Sequence, residues 1–301
     1  MILWVHYTLG NYIKSMLLRK KLLIIAGIVL LFSVGLLIYF LYKETARHAF
    51  KVSFFDIGQG DATLIDFANG EQMLVDCGPD RKILSQLGQS LRFYDRTIDY
   101  LLVTHPDLDH YGGCVDVLRN YVVKKIILNG HVKPDSFYKT FEQAAAGERA
   151  QTQIINAPEV WKIASSTLEF LSPDKTLNMS VGADDSNNYS IIFRLTNASS
   201  SFLFTADMEM PLEDALLAKY CVNTSTFDCP SLEARVLKVG HHGSDTSSGE
   251  NFLKAVKAKE AVISVGARNK YGHPSLRVLR KLERAQIQIL RTDLIGSIVE
   301  F

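Results

Sequence analysis

The sequence lacks the features that mark several classes of protein. Its 33 Lys and Arg residues are nearly balanced by 32 Asp and Glu residues. The net charge of +1 gives no overall basic character of the kind expected for a nucleic-acid-binding domain, and leaves only a local basic patch open. No internal repeat or low-complexity segment is present. With 301 residues, the chain has room for one large globular domain or two small ones.

Cysteine is scarce, and its spacing argues against a common structural use. None of the four cysteines forms a C-x-x-C pair, so a structural zinc site is not expected. Cys221 and Cys229 lie in a polar, loop-like stretch and could form a disulfide in an oxidising environment. Cys77 and Cys114 are expected to be small buried residues. The sequence alone leaves the pairing open.

Charge is absent from one long stretch near the N-terminus. Residues 22–42 contain only apolar residues, Gly and Ser. About 20 such residues span the hydrocarbon core of a bilayer as a helix, so we predict a transmembrane helix over this range. A cleaved signal peptide is the alternative, but its apolar core is usually shorter, about 7–15 residues, and ends at a small-residue cleavage site that is not evident here.

Basic residues flank this stretch unevenly. Three consecutive basic residues at positions 19–21 precede it directly, whereas Lys43 and Arg47 on its other side are partly offset by an acidic neighbour. Because positive charge favours the cytoplasmic side of a membrane, the sequence predicts a short cytoplasmic tail over residues 1–21 and an outward-facing remainder. Residues 43–51 are predicted to form a short polar linker.

The densest group of chemically reactive side chains lies in residues 104–113, Thr-His-Pro-Asp-Leu-Asp-His-Tyr-Gly-Gly. Residues 98–103 are predicted to form a short apolar strand, so the His and Asp side chains are expected in the loop at its end, where metals and substrates bind in α/β folds. Two imidazoles and two carboxylates within six residues exceed what a loop needs for solubility. The alternative is a charged turn whose carboxylates cap the helix predicted over residues 114–121.

A second motif, Phe-Asp-Ile-Gly-Gln-Gly-Asp-Ala, opens the globular part at residues 55–62. It lies between two predicted strands, and the Asn-Gly pair at residues 69–70 then predicts a tight hairpin turn. The Asp and Gln side chains of the motif either point toward an active site or satisfy amides of the turn. The sequence leaves both interpretations open.

The two motifs together resemble those of a known family. Residues 105–110 are similar to the H-x-H-x-D-H signature of the metallo-β-lactamase superfamily, in a variant with Asp107 in place of the second His. The opening motif is similar to that of the hydrolase domain of ComEC-type competence proteins, and the resemblance runs from about Phe54 to the C-terminus. It implies an α/β fold for residues 52–301, a four-layer αββα sandwich, closed by a hairpin at residues 291–298.

The resemblance also implies which side chains hold a metal. Asp207, at a strand's end in a Phe-Thr-Ala-Asp context, corresponds to a metal-bridging carboxylate, and Asp76 corresponds to a partner that orients the metal loop. Of the adjacent His241 and His242, the first is favoured as ligand, and the second is expected to face substrate or a carboxylate. The implied metal ligands are His105, Asp107, Asp109, His110, Asp207 and His241.

The catalytic residues implied by the resemblance are Asp109, Lys238, His242 and His273. Lys238 or His273 could neutralise the leaving oxygen of a phosphodiester. His273 follows Asn269 and Tyr271 in a loop that also matches the ComEC-type pattern, and it could donate a proton or hold a phosphoryl oxygen. The alternative is that His273 only packs its loop.

Two departures from a zinc β-lactamase bear on the metal. Asp107 replaces a His, and no His directly precedes residues 188–190, where the superfamily usually supplies a further ligand. The remaining set is rich in carboxylate oxygens, which suit Mn²⁺ or Mg²⁺, while imidazole suits Zn²⁺. We predict one or two divalent ions, Mn²⁺ or Zn²⁺, bridged by Asp207 and with a weakened first site.

The function that the resemblance implies is a membrane-anchored, metal-dependent hydrolase. The first expectation is a phosphodiesterase or nuclease that acts on DNA outside the cytoplasmic membrane through a metal-activated hydroxide. Its partners would be single-stranded DNA or an envelope phosphodiester, and the membrane through the N-terminal helix. ComEC-type transporters carry many membrane helices and this sequence predicts one, so we do not expect the chain to conduct DNA. The alternatives are an envelope phosphodiesterase, similar to phosphorylcholine esterases, and a non-catalytic anchored binding module.

Overall fold

The computed structural model describes residues 2–47, 49–177 and 186–301. The chain divides into two compact units, an N-terminal helix and a globular domain, with the boundary after Ala49.

The N-terminal unit is one helix, α1, Ile2–Arg47. Within it, Met16–Phe40 has a mean hydropathy of 2.8 and none of it is buried, so this stretch could cross a membrane by its length and composition. It contains most of the predicted span, residues 22–42. The helix also includes residues predicted as tail and linker, because no proline interrupts the chain before Arg47. Position 48 of the predicted linker and the side chains of residues 41–47 lie outside the described residues.

The strands of the globular domain are β1 (Lys51–Phe54), β2 (Thr63–Asp66), β3 (Gln72–Val75), β4 (Thr97–Leu102), β5 (Val122–Leu128), β6 (Gln151–Ile154), β7 (Glu159–Ile163), β8 (Ser166–Ser172), β9 (Ile192–Thr196), β10 (Ser201–Phe204), β11 (Val236–Lys238), β12 (Glu260–Ile263), β13 (Gln288–Arg291) and β14 (Ile298–Glu300). They form two seven-stranded mixed sheets, in the orders β14-β1-β2-β3-β4-β5-β6 and β13-β12-β11-β10-β9-β8-β7. β2 and β3 pair antiparallel around the Asn-Gly turn, which confirms the predicted hairpin.

The helices of the globular domain are α2 (Lys82–Ser90), α3 (Leu108–Tyr111), α4 (Cys114–Asn120), α5 (Ser136–Gly147), α6 (Met210–Tyr220), α7 (Glu250–Val256), α8 (Leu276–Arg284) and α9 (Thr292–Ile295). Short 3₁₀ turns occupy Asn187–Tyr189 and Gly240–Gly243. In α8, the buried Val278 and Leu282 recur at the four-residue spacing of one helix face, and Ser275 accepts a hydrogen bond from the Val278 amide as the N-cap.

The domain has four layers, and an apolar cluster fills each of the three interfaces between them. The apolar cluster between the sheets contains residues of both, including Phe54 of the first and Phe193 and Phe204 of the second, and the last two rings stack at 4.5 Å. A second cluster packs α2, α4 and α5 on the outer face of the first sheet. A third packs α6, α7 and α8 on the outer face of the second sheet. The predicted αββα sandwich is confirmed.

The prediction of a C-terminal hairpin is wrong. β13 pairs in parallel with β12 in the second sheet, whereas β14 pairs antiparallel with β1 in the first. The turn of α9 carries the chain from one sheet to the other. The polar residues at positions 291–298 therefore connect the two sheets. A local sequence pattern cannot distinguish such a connection from a hairpin turn.

Cys77 and Cys114 are buried as expected, and the structure settles the pairing that the sequence left open. They form a disulfide with a Cα–Cα distance of 5.2 Å. The two cysteines are 37 residues apart, and the pairing arises because the chain returns past the end of β3 as it enters α4. Cys221 and Cys229 form a second disulfide, as their spacing allowed.

Candidate metal centre

The loops that follow β4, β10 and β11 meet at one edge of the sandwich. The metal loop, residues 104–113, follows β4, while Asp207 follows β10 and His242 follows β11. Nε2 of His110 lies 3.2 Å from Oδ1 of Asp207, and Nε2 of His242 lies 3.2 Å from Oδ2 of Asp109. Side chains from both halves of the domain are thus brought within contact distance.

Four of these side chains form the tightest group, which we call the central cluster: Asp109, His110, Asp207 and His242. Each offers one ligand atom, and these atoms all lie within 4.8 Å of one another. His105 adjoins the group, with its Nε2 3.8 Å from Oδ2 of Asp207 and its ring centroid 4.1 Å from that of His110. This spacing is close enough for one or two shared metal ions.

The metal loop's two imidazoles are held by a common buried carboxylate. Nδ1 of His110 donates to Oδ2 of Asp76 at 2.9 Å. The Thr104 hydroxyl donates to the same oxygen, so it is left to accept from Nδ1 of His105, 3.0 Å away. With each Nδ1 engaged in this way, each Nε2 would offer its lone pair to a metal ion beside Asp207 once it is deprotonated. Asp76 makes the contact with the metal loop that the sequence predicts.

The adjacent histidines of the second half are held in the same way. Nδ1 of His242 donates to the carbonyl oxygen of Ser264 at 3.0 Å, and Oδ1 of Asp61 lies 3.3 Å away. Nδ1 of His241 lies 3.1 Å from Oε1 of Glu209. Both histidines have positive φ, 48° and 53°, and this tight turn lets neighbouring imidazoles face the same carboxylate, Asp207.

His241 and His242 differ in their position relative to the cluster. Nε2 of each lies within 3.8 Å of Oδ2 of Asp207. The His242 side chain is 2% exposed and also contacts Asp109, whereas the His241 side chain is 24% exposed. The favoured ligand, His241, therefore lies on the solvent side of the cluster, and the structure brings His242 into it.

Asp107 lies outside the central cluster. Its Oδ1 accepts hydrogen bonds from the Lys133 ammonium and the Ser186 hydroxyl, both at 2.8 Å. Although burial opposes the effect, His105, Lys133 and Ser186 lower the pKa of Asp107. A cation of this chain thus already pairs with the carboxylate that replaces the second His of the family signature.

Lys238 lies behind the cluster. Its side chain is 3% exposed, and its ammonium contacts Oδ2 of Asp61 at 2.7 Å and donates to the Val239 carbonyl at 3.1 Å. The sequence-based role of Lys238 at a leaving oxygen stays a prediction, and in the structure this ammonium is buried and paired with Asp61. It holds Asp61, and Asp61 in turn faces His242.

The opening motif packs directly under the metal loop. The amide of Asp61 donates to the carbonyl oxygen of Asp109 at 3.1 Å. Gly60 has φ +131°, and a Cβ at this position would lie 2.2 Å from the same carbonyl oxygen. Glycine is therefore required where the two loops meet. Gln59 contacts the amide of Gly266 through its side-chain oxygen at 3.2 Å.

His273 borders the centre without joining it. Its ring centroid lies 5.8 Å from that of His241. Its Nδ1 is buried and has no hydrogen-bond partner among the residues that the structure describes. Burial, with the nearby imidazoles of His241 and His242, lowers the pKa of His273.

The charges of the centre shift several pKa values. Burial would raise the pKa of Asp207, but the imidazoles of His110 and His242 outweigh it and hold this pKa well below its usual range. Burial would lower the pKa of His242, but the carboxylates of Asp207, Asp61 and Asp109 raise it to about 10. A divalent cation bound here would displace protons from the imidazoles, so metal affinity is expected to fall at low pH.

The donor set fits a divalent metal ion. Nε2 of His105, Nε2 of His110 and Oδ1 of Asp207 are buried, and no residue in the described part of the chain hydrogen-bonds to them. Unpartnered buried polar atoms are costly, and here both Nε2 atoms face the Asp207 carboxylate, at 3.8 Å from Oδ2 and 3.2 Å from Oδ1. Imidazole nitrogens combined with carboxylate oxygens are ligands for zinc, iron and manganese.

Three contributors were not identified from the sequence. Glu209 follows Asp207 by two residues, and a second carboxylate in the same loop was the available signal. Lys133 carried no local signal, because it approaches Asp107 only through the fold. The Cys77–Cys114 disulfide braces the metal loop from below, since the amide of Cys77 donates to the His110 carbonyl at 2.7 Å.

Fold and site together define a class. The chain belongs to the metallo-β-lactamase superfamily, whose family model matches residues 55–267. Proteins of this superfamily bind divalent metals, in keeping with the His and Asp cluster.

Two competence proteins are similar to this chain in sequence. It is 30% identical over 266 residues to "ComE operon protein 3" of Bacillus subtilis (strain 168), covering 82% of this chain and 32% of that protein. It is 31% identical over 248 residues to "Competence protein ComA" of Neisseria gonorrhoeae, covering 82% and 31%. The resemblance to ComEC-type proteins is confirmed. The chain spans about a third of the length of these curated relatives.

Solved structures support the fold. The metallo-β-lactamase fold protein YhfI from Bacillus subtilis superposes with a TM-score of 0.53 at 12% identity, over 84% of this chain and 99% of that chain. CmlA, a diiron β-hydroxylase from Streptomyces venezuelae, gives 0.53 at 11% identity, over 84% and 54%. At these identities the likeness extends to the fold alone.

Proposed function

We propose that this protein is a membrane-anchored, metal-dependent phosphodiesterase that cleaves DNA outside the cytoplasmic membrane. The observation that carries the proposal is the central cluster, in which two carboxylates and two imidazoles converge within 4.8 Å at the open edge of the sandwich. The similarity to competence proteins supports DNA as the substrate.

The residue roles follow from the geometry. We propose Asp109, His110, Asp207 and His242 as principal metal ligands, with His242 in place of the favoured His241 because it is the one in contact with Asp109. His105 would complete a second position beside Asp207. A divalent ion held by these groups would supply Lewis acidity, activating water and neutralising charge on the phosphoryl group.

The open face carries the groups that would act on substrate. His241 and His273 lie there, and an imidazole at either position can donate a proton to a leaving oxygen. Lys238 and Asp61 would act by holding His242, and not by contacting substrate.

Manganese is the metal we propose, with zinc as the second choice. The cluster offers as many carboxylates as imidazoles, a balance that suits a harder ion than a three-His site does. Because Lys133 already pairs with Asp107, the position beside His105 would bind a second ion more weakly than the central cluster binds the first.

The orientation of the membrane helix is part of the proposal. Basic residues precede Met16–Phe40 more densely than they follow it, which favours a cytoplasmic N-terminus and an outer globular domain. Alkaline phosphatase fused to the C-terminus should be active, because this enzyme folds only outside the cytoplasm, and an inactive fusion with an active cytoplasmic reporter would reverse the orientation.

The test of the activity uses the full chain in detergent. Metal is removed by chelation, and labelled single-stranded DNA is incubated with Mn²⁺, Mg²⁺ or Zn²⁺. Cleavage restored by Mn²⁺, lost in Asp109→Ala and kept in the control Asp214→Ala, an exposed aspartate of α6, would support the proposal.

Other outcomes would redirect it. Turnover of a small phosphodiester without cleavage of DNA would favour the envelope phosphodiesterase. Absence of both activities, with no metal retained, would favour the non-catalytic binding module.

A further inference from the structure

An exposed aromatic ring lies beside the candidate metal centre. Tyr271, in the loop between β12 and α8, is 58% exposed. Its ring stacks on that of His273, with centroids 5.9 Å apart and planes inclined by 12°. The His273 ring in turn contacts that of His241 at 5.8 Å. Tyr271 is therefore two ring contacts away from a side chain that faces Asp207.

The loop is fixed by one side chain, Asn269. Its Nδ2 donates to the carbonyl oxygens of Gly266 and His273 at 3.0 and 2.6 Å. Its Oδ1 accepts from the amides of Tyr271 and His273, both at 3.1 Å. The Tyr271 ring is thus presented on a prearranged backbone, which lowers the entropy cost of binding a ligand against it.

One cation lies close to the ring, and a second is exposed in the same loop. The Lys270 ammonium lies 5.2 Å from the centroid of the Tyr271 ring, and Arg268 of the same loop is exposed. An aromatic face beside cations is the combination that binds single-stranded nucleic acids, since the ring stacks on a base and the cations attract the phosphates.

We propose that Tyr271 is a stacking platform for a nucleobase next to the phosphodiester at the metal centre, so that the substrate is a single strand. This inference rests on the proposed function. In a duplex both faces of each base are already stacked, so a protein ring gains this contact only with an unpaired strand.

The same surroundings argue against a choline-bearing envelope substrate. Quaternary ammonium groups bind against aromatic faces through cation–π attraction. Here Lys270 already occupies the vicinity of the Tyr271 ring, and Arg268 adds a second cation. Like charges would repel a choline headgroup from this site.

The chain offers a matched control for the test. Tyr94 is 59% exposed and has the Arg92 guanidinium 5.9 Å from its ring centroid. It lies in the loop before β4, at the opposite end of that strand from the metal loop. Tyr94→Ala thus removes an equally exposed ring beside a cation, but far from the metal centre.

The experiment compares wild type, Tyr271→Ala, Tyr271→Phe and Tyr94→Ala as full chains in detergent loaded with Mn²⁺. KM is measured on a labelled single strand and on the same strand with one abasic nucleotide placed at successive positions around the cleaved bond. Metal content is measured for every variant. We expect Tyr271→Ala to raise KM for the intact strand roughly 5- to 150-fold, while Tyr271→Phe, which keeps the ring, restores it.

One abasic position should raise KM for wild type and leave KM for Tyr271→Ala unchanged. If Tyr271→Ala raises KM relative to wild type by the same factor on intact and abasic strands, or behaves like Tyr94→Ala, the stacking platform is refuted while the proposed nuclease stands. If wild type cleaves no strand at all, the proposed function itself fails. If Tyr271→Ala loses metal, the test rests on the wild-type protein alone. Equal wild-type KM values on the intact and abasic strands would then overturn the inference.

Discussion

The two sides of the metal centre differ in how firmly their side chains are held. On the buried side, the side chains of His105, His110, Asp207 and His242 are at most 4% exposed. On the open side, the side chains of Asp107, Asp109 and His241 are 27%, 32% and 24% exposed.

The supporting groups differ in the same sense. Asp76, which holds His110, is 1% exposed, whereas the side chain of Glu209, which holds His241, is 19% exposed. A ligand held by a buried partner keeps its orientation without metal or substrate. We infer that the buried side, together with Asp109, sets metal affinity, and that Asp107 and His241 on the open side adjust to the substrate.

The largest effect should come from Asp207, because imidazoles of both halves face its carboxylate. Asp207→Ala should abolish metal retention and hydrolysis, since it leaves His110 and His105 without their shared anionic neighbour. Metal content after dialysis checks this, with Asp214→Ala as the control. Retention of a full metal complement would show that Asp207 is not a ligand.

The next largest effect concerns the brace beneath the buried side. Replacing Cys77 and Cys114 together by Ala should lower the free energy of unfolding by about 4 kcal/mol, from the entropy of the 37-residue separation. The equivalent change at Cys221 and Cys229, eight apart, should cost about 2.5 kcal/mol. Denaturant titration measures both, and only the first pair should also weaken metal binding. Equal metal affinities in the two variants would show that the Cys77–Cys114 disulfide does not support the metal ligands on the buried side.

A buried carboxylate away from the cluster should affect stability alone. Burial raises the pKa of Glu213 from 4.5 to about 7, although the amides of Ser248 and Gly249 oppose the shift. Because the folded state holds this proton more tightly, the contribution of Glu213 to stability should be greatest below pH 4.5 and fall by about 3 kcal/mol as the pH rises to 7. Glu213→Gln should remove that part of the pH dependence in urea titrations at pH 5 and pH 8. An unchanged pH dependence would mean that Glu213 ionises normally.

The smallest effects compare one orienting carboxylate from each side. Asp76→Asn should weaken metal binding by about 10- to 100-fold, because the amide no longer accepts from both His110 and Thr104. Asn tolerates the positive φ of 57° at this position, so the backbone should be kept. Glu209→Gln should cost less than about tenfold in metal affinity, the lower end of such effects. Competition with a chelating dye measures both, and equal losses would abolish the distinction between the two sides.

Local patterns in the sequence predicted individual elements, and the family resemblance implied the αββα sandwich. The hairpin at residues 69–70 and the strand before the metal loop came from short-range patterns that the structure confirms. The C-terminal hairpin failed because pairing β14 with β1 joins residues from the two ends of the domain. A strand's partner over such a distance is chosen by packing, and no local residue pattern specifies it.

The candidate site divides in the same way. Asp109 and His110 could be singled out because they are dense within one loop, and Asp207 because the family resemblance implies a bridging carboxylate there. The sequence favoured His241 over His242, but the positions of the two rings relative to the cluster depend on a turn with two positive φ values, which the sequence does not reveal. Lys133 could not be found because its contact with Asp107 crosses between loops.

The sequence by itself determined the chemical inventory of this protein: an apolar segment long enough to cross a membrane, and carboxylates and imidazoles concentrated at strand ends. Tertiary structure decided how the inventory is used. It paired Cys77 with Cys114, placed Lys238 behind His242 and set the Tyr271 ring beside the metal centre. The physical reason is the separation along the chain over which each kind of information acts. Residue type and local periodicity determine which groups are available. The distances between these groups and their burial are determined only when the two sheets pack together.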